Sequence, residues 1–385
     1  MGSLAFMQVW ADKDLKKEYL ERFDSVEVSL LTCSPHEEIY SLYGHSALRW
    51  HDMRTGGNDI VFNWGIFNFD KPYFVLRFVF GLTDYELGVL PYQPFCDYYQ
   101  KWGSSVTEQV INLTSEEKVR LHDALYENLK PENRIYRYNF FYDNCSTRPR
   151  DMIERCLKGS VEYAQRQDYS PSFRQMVGTS TRNHPWAKFG NDMLLGVKAD
   201  MATDRKAQEF LPENLMYDFN YATINNNDDR RPLIIARRMP VMPGVQVIEQ
   251  DFPLSPTVCA LLLLTITIFL TLLEWKIRKR LIAYDILLML IQGLAGCVLF
   301  VMLFSQHPTT STNLQILLLN PLPLFFIPAV IRKKDKRWWK LQLIMIVLFY
   351  LGAIFQRYAE GMLIVASCLL IRTIVHINRK KTQSR

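Results

Sequence analysis

The C-terminal third of the chain consists of five apolar runs separated by short polar segments. Each run is about as long as the helix of roughly 20 residues that crosses the ~30 Å hydrocarbon core of a bilayer. The runs cover residues 257–275, 283–304, 313–331, 340–356 and 361–378. The pattern therefore predicts five transmembrane helices, with an extended linker before them at 241–256 and a short tail after them at 379–385.

The polar segments between these runs alternate in charge. Segments 276–280 and 332–340 and the tail are basic, whereas segment 305–312 has no fixed charge and segment 356–361 is nearly neutral. Basic loops remain on the cytoplasmic side of a membrane. The pattern predicts a multi-pass protein of the bacterial inner membrane, with a cytoplasmic C-terminus and the first 256 residues on the periplasmic face.

Three short segments before the apolar runs are typical of β-strands, and the third is rich in β-branched and aromatic residues. Strand-like segments cover residues 26–32, 47–52 and 60–69. Gly56 and Gly57 separate the second segment from the third, and a Gly-Gly pair is a strong turn signal. We expect a sheet whose strands follow one another along the chain.

Helical patterns follow these strands. Thr114, with Glu116 and Glu117 in the first turn, predicts a helix that continues to Leu129, and a second helix is expected to begin near Asn144. Strands followed by helices indicate an α+β domain, which we place at residues 26–240.

The N-terminal segment, residues 1–25, contains a short apolar stretch at 4–11. This stretch ends in the small-residue pattern of a signal peptide. We expect a signal-peptide remnant here, and the alternative is an ordinary apolar N-terminus.

The net charge of the whole chain would be a misleading guide to its partners. The chain has 45 Lys and Arg against 39 Asp and Glu, and residues 257–385 contribute 16 of the basic residues and only 4 of the acidic ones. The basic excess therefore lies in the membrane region, and a nucleic-acid partner is not implied. The sequence contains no phosphate-binding glycine motif and no His/Cys cluster with metal-ligand spacing, so neither a cofactor nor a metal is expected.

One of the seven cysteines stands in a distinctive context. Cys145 lies in YRYNFFYDNCSTRPRD at the predicted start of a helix. The positive end of a helix dipole favours the thiolate of a cysteine placed there. The alternatives are an inert buried thiol or half of a disulfide; an oxidising compartment permits disulfides, and the pairing among Cys33, Cys96 and Cys156 is open.

A thiolate nucleophile needs a base that takes and returns a proton. His45 in YGHSALRW follows a glycine and opens a predicted strand, so its ring is expected at a strand end facing a cleft. An isolated histidine is often only structural. The combination of Cys145 and His45 nevertheless favours a Cys-His catalytic pair.

Four segments resemble one known family. EIYSLYGHSALRW, FNWGIFNF, PENRIYRYNFFYDNCSTRPRD and HPWAKFGNDMLLG, followed by the apolar runs, resemble the lipoprotein N-acyltransferases of Bacteroidota. The periplasmic domain of that family is similar to circularly permuted papain-like thiol acyltransferases. The resemblance implies an α+β domain with a permuted papain-like core joined to a five-helix transmembrane domain.

The resemblance also implies roles for individual residues. Cys145 matches the nucleophile and His45 the base, and Asn63 is expected to orient the histidine, with Glu38 as its competitor. An acyl chain would pass from a phospholipid to Cys145 and then to the α-amino group of a diacylated lipoprotein. The lysophospholipid is released when Cys145 takes the chain.

Two kinds of substrate contact remain open at this point. The oxyanion needs donors, and the Cys145 backbone N–H, Tyr43 and Asn144 are candidates. Arg49 and Arg148 are candidates for a lipid phosphate, with salt bridges to nearby carboxylates as the alternative.

Two other functions also stay open. One is a hydrolase on the same Cys-His scaffold, either a phospholipase or a cell-wall amidase or peptidase. The other is a membrane-anchored assembly protein without enzymatic activity, for which Cys145→Ala would be silent.

Overall fold

The computed structural model describes residues 13–67, 73, 77, 80–166, 169–226, 229–246 and 252–379. The apolar N-terminal stretch at 4–11, part of the linker and most of the tail lie outside these residues. The chain divides into two compact units. The first comprises Met1–Phe74, Leu82–Ser170 and Thr203–Glu249, and the second comprises Val75–Gly81, Pro171–Ala202 and Gln250–Arg385.

The first unit is built on a seven-stranded antiparallel sheet with the order β10-β5-β1-β2-β3-β4-β6. Its strands are β1 (Val26–Cys33), β2 (His45–Asp52), β3 (Asp59–Ile66), β4 (Asp84–Pro91), β5 (Val106–Ile111), β6 (Ile135–Arg137) and β10 (Ile234–Val241). Three short strands, β7 (Ser160–Glu162), β8 (Thr223–Asn226) and β9 (Asp229–Pro232), form a second sheet. The three strands predicted from the sequence correspond to β1, β2 and β3.

Both faces of the large sheet are covered. On one face, Leu30, Leu48 and Phe62 pack into a core with the helices Ser115–Leu129 and Thr147–Cys156. On the other, Leu31 and Val61 pack against the helix Tyr92–Lys101. Burial of apolar side chains on both faces holds the central strands in register.

The helices of the first unit are Lys13–Glu21, Tyr92–Lys101, Ser115–Leu129, Thr147–Cys156, Arg205–Gln208 and Pro212–Tyr221, with a 3-10 turn at Ile39–Ser41. The predicted helix start near Thr114 is confirmed, because Thr114 and Glu117 form a capping box. The second predicted start is wrong by a few residues. The helix begins at Thr147, so Cys145 lies in the turn before it, where Asn144 Oδ1 accepts hydrogen bonds from two backbone N–H groups.

The second unit is helical. Its helices are Phe173–Ser180, Pro185–Leu194, Pro256–Ile277, Ile282–Met302, Leu322–Ile331, Lys336–Gly352 and Met362–Asn378, with 3-10 turns at Val197–Asp200 and Leu314–Leu317. Residues 171–202, which we assigned to the α+β domain, belong to this unit. Three described segments are long and apolar enough to cross a membrane: Pro256–Ile277, Ile282–Met302 and Leu314–Ile331. The α+β domain followed by a helical region with membrane-spanning character is therefore confirmed.

A buried ionic network joins three of the long helices. Arg372 is 1% exposed and contacts Asp285 at 2.8 Å and Glu274 at 3.0 Å. His376 lies 2.9 Å from the same aspartate. Charges inside a membrane protein are costly unless they are paired, and this network pairs them.

Candidate active site

His45 is the first residue of β2 and follows a tight turn that requires glycine. Gly44 has φ +75°, and a Cβ at this position would lie 2.7 Å from the backbone carbonyl oxygen of Cys33. Only glycine fits such a conformation without displacing the neighbouring strand. Across the β1–β2 pair His45 lies opposite Cys33, so the turn and the pairing together fix the imidazole at the strand end.

The imidazole of His45 is oriented by Asn63 on the neighbouring strand β3. His45 Nε2 lies 2.6 Å from Asn63 Oδ1. Because an amide oxygen only accepts hydrogen bonds, Nε2 carries the hydrogen, and the neutral ring presents Nδ1 as its acceptor. The ring nitrogen left for Cys145 is then Nδ1, which is able to take a proton from a thiol.

The Cys145 turn is shaped by the side chain of Asn144. Its Oδ1 accepts from the backbone N–H groups of Ser146 and the following residue at 2.8 and 3.0 Å. Its Nδ2 donates to the carbonyl oxygens of Phe140 at 2.9 Å and Phe210 at 2.8 Å. The side chain of Asn144 therefore holds the turn in place, and both amide hydrogens are used in doing so.

Cys145 and His45 shift each other's protonation. Burial raises the pKa of the Cys145 thiol, but the charge and hydrogen bond of His45 lower it, and the net pKa lies below the ordinary value. Burial lowers the pKa of His45, while the Cys145 thiolate and Asn63 raise it, and the net direction is upward. Each member stabilises the charged form of the other, so the arrangement favours a thiolate–imidazolium pair.

Two serines complete the surroundings of the sulfur. The backbone N–H of Ser46 and the side chain of Ser146 hydrogen-bond to Cys145, and both lower its pKa. The two hydroxyl oxygens lie 3.0 Å apart, and both side chains are fully buried. Sequence reasoning missed both residues, although each is the immediate neighbour of a residue that it identified.

The backbone of β3 passes close to Cys145 at an irregular step between Trp64 and Ile66. Gly65 lies at this step with φ +99°, and a Cβ there would be 3.8 Å from the Cβ of Cys145. Bulges of this kind bend a strand and are frequent beside active sites. The end of β3 thereby reaches the nucleophile without a side chain in between.

The charge of the Cys145 sulfur reaches several tyrosines, among them Tyr85, Tyr136 and Tyr138. Burial and the negative charge of Cys145 raise the pKa of Tyr85 to about 12, and they raise those of Tyr136 and Tyr138 well above the usual range. Tyr85 and Tyr138 stack with their ring centroids 4.1 Å apart. All three phenols stay protonated, so this side of the thiolate is aromatic and uncharged.

Two family models match the chain. One, described as the Lnb N-terminal periplasmic domain, matches residues 16–178, and it therefore spans His45, Asn63 and Cys145. The other, described as the Lnb transmembrane domain, matches residues 247–384.

The chain belongs to the Lnb family of lipoprotein N-acyltransferases.

No curated protein and no solved structure matches it. The family assignment therefore rests on these two models, and roles for individual residues of this Lnb chain have to be argued from its geometry.

Glu38, the competitor of Asn63, lies at a different place in this Lnb chain. Its carboxylate accepts a hydrogen bond from Tyr98 at 3.2 Å and lies 3.7 Å from Nδ1 of His36. The nitrogen of His45 that needs an orienting partner is already bonded to Asn63. The geometry therefore favours Asn63 for this role.

Arg49 and Tyr43 differ in how accessible they are. Arg49 is buried and donates to Asp59 at 2.7 Å and to Glu108 at 2.8 Å, and its guanidinium covers the ring of Tyr92. These contacts correspond to the salt-bridge alternative rather than to a free phosphate site. Tyr43 is half-buried, and its ring lies edge-on to Phe140, next to the turn that carries Cys145.

Arg148 is also engaged within the protein. It makes a two-pronged contact with Asp143 at 2.6 and 2.8 Å, and its guanidinium lies over the ring of Tyr136. A bidentate arginine–carboxylate pair has defined geometry. A lipid phosphate would have to share this arginine with Asp143.

All seven cysteines lie in the described ranges and carry free thiols. Cys33, Cys96 and Cys156 are buried, and burial raises the pKa of each. A raised pKa makes a thiol less reactive. Cys145 alone among these four has a lowered pKa.

Proposed function

We propose that this Lnb-family protein is a lipoprotein N-acyltransferase that works through a thioester on Cys145. The observation that carries the proposal is the hydrogen-bonded series from Cys145 through His45 to Asn63. A nucleophile, a base and a group that orients the base are the parts needed for acyl transfer by covalent catalysis.

The first half-reaction removes an acyl chain from a phospholipid. The Cys145 thiolate attacks the ester carbonyl carbon and forms a tetrahedral intermediate. This collapses with cleavage of the carbon–oxygen bond, and the His45 imidazolium gives its proton to the departing alkoxide. Lysophospholipid leaves, and the acyl group remains on Cys145 as a thioester.

The second half-reaction transfers the chain to an amine. The α-amino group of a diacylglyceryl-cysteine lipoprotein attacks the thioester carbonyl, and neutral His45 takes a proton from the amine nitrogen. The carbon–sulfur bond breaks, which restores the thiolate–imidazolium pair. The product is an amide, and the lipoprotein then carries three acyl chains.

Backbone groups are the best candidates for the oxyanion site. The Ser46 N–H already points at the sulfur, and the Cys145 N–H lies at the turn before a helix. Such donors stabilise the charge that develops on the carbonyl oxygen. The Asn144 amide is a poorer candidate because both of its hydrogens bind carbonyl oxygens, and Tyr43 is the candidate for an additional donor.

We further propose five membrane spans in the bacterial inner membrane, with the first unit on the periplasmic face and the C-terminus in the cytoplasm. Alternating loop charge supports this orientation. In this orientation the Cys145 thiolate lies on the same side of the membrane as exported lipoproteins.

The test is the intact mass of the full-length protein after incubation with phospholipid and without an acceptor. We expect an acyl adduct that neutral hydroxylamine removes, since thioesters are labile to it. Cys145→Ala should give no adduct. The matched control is Cys156→Ala, which removes a buried thiol of the neighbouring helix and should acylate like the unmodified protein.

Addition of a diacylated lipopeptide should discharge the adduct and produce a triacylated peptide. Accumulation of lysophospholipid and free fatty acid, with no peptide product, would indicate a hydrolase instead. If folded protein in lipid gave neither adduct nor lysophospholipid, the nucleophile assignment would be wrong.

A further inference from the structure

A pocket lies in the second unit, where the helix Lys336–Gly352 ends and the helix Met362–Asn378 begins. Its volume is about 480 Å³. It is lined by Ala353, Gln356, Arg357, Tyr358, Ala359, Glu360, Gly361, Leu363 and Ile364. The lining is mostly apolar, so the few polar groups decide what it binds.

The backbone of this connection is held by hydrogen bonds. Buried Gln356 donates to the carbonyl oxygen of Leu195 at 3.0 Å and accepts from the N–H of Leu314 at 2.7 Å. The Tyr358 hydroxyl donates to the carbonyl oxygen of Phe349 at 2.7 Å. The pocket is therefore a formed feature of the fold, and these polar side chains are used in building it.

Two charged side chains of the pocket remain. Arg357 is exposed, and its guanidinium makes no ion pair or hydrogen bond with any residue that the structure describes. Glu360 accepts from the Thr257 hydroxyl at 2.5 Å through Oε1 alone. The two are three positions apart and line one pocket, yet they do not pair with each other within the described residues. A cation and a carboxylate oxygen are thus both available to a ligand.

The surroundings point to a lipid as that ligand. Ile354 is 77% exposed and Phe355 is 68% exposed, directly before the pocket, and Leu363 is also exposed. The adjoining helices expose further apolar side chains along their length. A soluble ligand would leave this surface in water, whereas a phospholipid places acyl chains on it and its headgroup at the charged end.

We propose that this pocket binds the headgroup of a phospholipid that carries both a phosphate and a primary ammonium group, as phosphatidylethanolamine does. Arg357 binds the phosphate, and Glu360 Oε2 accepts from the ammonium group. Charge-assisted hydrogen bonds of this kind are roughly twice as strong as neutral ones. The site lies wholly in the second unit and does not depend on the chemistry of Cys145.

Native mass spectrometry of the full-length protein released from nanodiscs tests this proposal. The nanodiscs contain equal amounts of phosphatidylethanolamine, phosphatidylcholine and phosphatidylglycerol. We expect each protein molecule to retain one molecule of phosphatidylethanolamine at a low protein-to-lipid ratio. Choline has no N–H to donate and glycerol has no positive charge, so both should be retained at least about tenfold less.

Two substitutions separate the two contacts. Arg357→Gln should weaken retention of phosphatidylethanolamine at least about tenfold, because a hydrogen bond to a charged group exceeds the 1.4 kcal/mol that corresponds to tenfold. Glu360→Gln, which keeps an acceptor for Thr257, should abolish the preference over phosphatidylcholine and leave phosphate binding. The matched control is Lys334→Gln, an exposed cation of the basic loop, which should retain lipid like the unmodified protein.

Three outcomes would overturn the proposal. One is equal retention by Arg357→Gln and Lys334→Gln. Another is equal retention of all three lipids, which would mean that Arg357 binds the phosphate of any phospholipid and that the pocket does not select a headgroup. The third is complete competition by millimolar inorganic phosphate, which would indicate a simple anion site. Unchanged thermal unfolding of each variant shows that lost retention is not lost folding.

Discussion

Replacement of Asn63 by alanine tests the catalytic arrangement without changing the nucleophile. It removes the residue that orients the base, His45. Asn63 Oδ1 accepts the hydrogen of His45 Nε2 at 2.6 Å. Without it, the imidazole is free to rotate, and its charged form loses a hydrogen bond. We therefore expect slower acylation of Cys145 in a protein that still folds.

The size of the effect follows from the bond that is lost. A hydrogen bond to a charged group contributes about 1.5–3 kcal/mol, and each 1.36 kcal/mol of barrier is tenfold in rate. Acylation by Asn63→Ala should therefore be about 10- to 100-fold slower. Cys145→Ala, by contrast, should remove acylation completely.

The pH dependence of acylation should shift in a direction that a merely structural role of Asn63 would not produce. The reactive pair of thiolate and imidazolium is populated above the pKa of Cys145 and below that of His45. Asn63 raises the pKa of His45, so its loss lowers that pKa and moves the alkaline limb of the profile to lower pH. Asn63→Asp should do the opposite, because a carboxylate favours the imidazolium.

The assay is rapid-mixing measurement of acyl-enzyme formation between pH 5 and 10 with excess phospholipid. Asn128→Ala is the matched control, since it removes a 3.0 Å hydrogen bond to the indole of Trp64, the next residue on the same strand. It should leave rate and profile unchanged. If Asn63→Ala matched this control in both, the orienting role of Asn63 would be refuted.

Three further predictions concern the stability of the fold. Gly44→Ala should destabilise the folded state by more than about 2 kcal/mol, because φ +75° is strained for alanine and its Cβ would meet a backbone oxygen at 2.7 Å; thermal unfolding measures this. Asn144→Ala should lower stability by about 3 kcal/mol and prevent acylation, since it removes the hydrogen bonds that its side chain makes to two carbonyl oxygens and two backbone N–H groups; unfolding and adduct mass check both. Arg372→Gln should cost about 3–5 kcal/mol because buried Glu274 loses its ion-pair partner and Asp285 keeps only His376 and Arg280, which thermal unfolding in detergent shows; an unchanged midpoint would contradict the buried network.

Local patterns were sufficient for the central strands and the main helices. β1 and β3 are rich in apolar residues, the Gly56-Gly57 pair marks the turn between β2 and β3, and Thr114 and Glu117 mark a helix start in the sequence itself. The edge strand β10 was not predicted. Seven of its eight residues are not buried, and two adjacent arginines and Pro240 interrupt its apolar pattern, so only its pairing with β5 defines it.

The sequence predicted those residues of the candidate site that carry distinctive chemistry. Cys145 and His45 stood out through their neighbours, and Asn63 followed from the family resemblance. Ser46 and Ser146 did not, because a serine has no local signal and their partners are 100 positions apart in the chain. Arg49 looks available in the sequence, and the two carboxylates that engage it are visible only in the fold; for Arg148 a salt bridge to the nearby Asp143 was already the alternative.

The position of Cys145 depends on a segment about sixty residues further along the chain. Phe210 supplies a carbonyl oxygen to Asn144, and Arg150, on the helix that follows Cys145, donates to Glu209 at 3.1 Å and to the carbonyl oxygen of Lys206 at 3.0 Å. Glu209 is fully buried and also pairs with Arg205, so this segment forms a buried ionic contact with the helix that follows Cys145. The family match for the first domain ends at residue 178, before this segment. A chain shortened to that match would keep all three catalytic candidates and lose the contacts that hold the nucleophile in place.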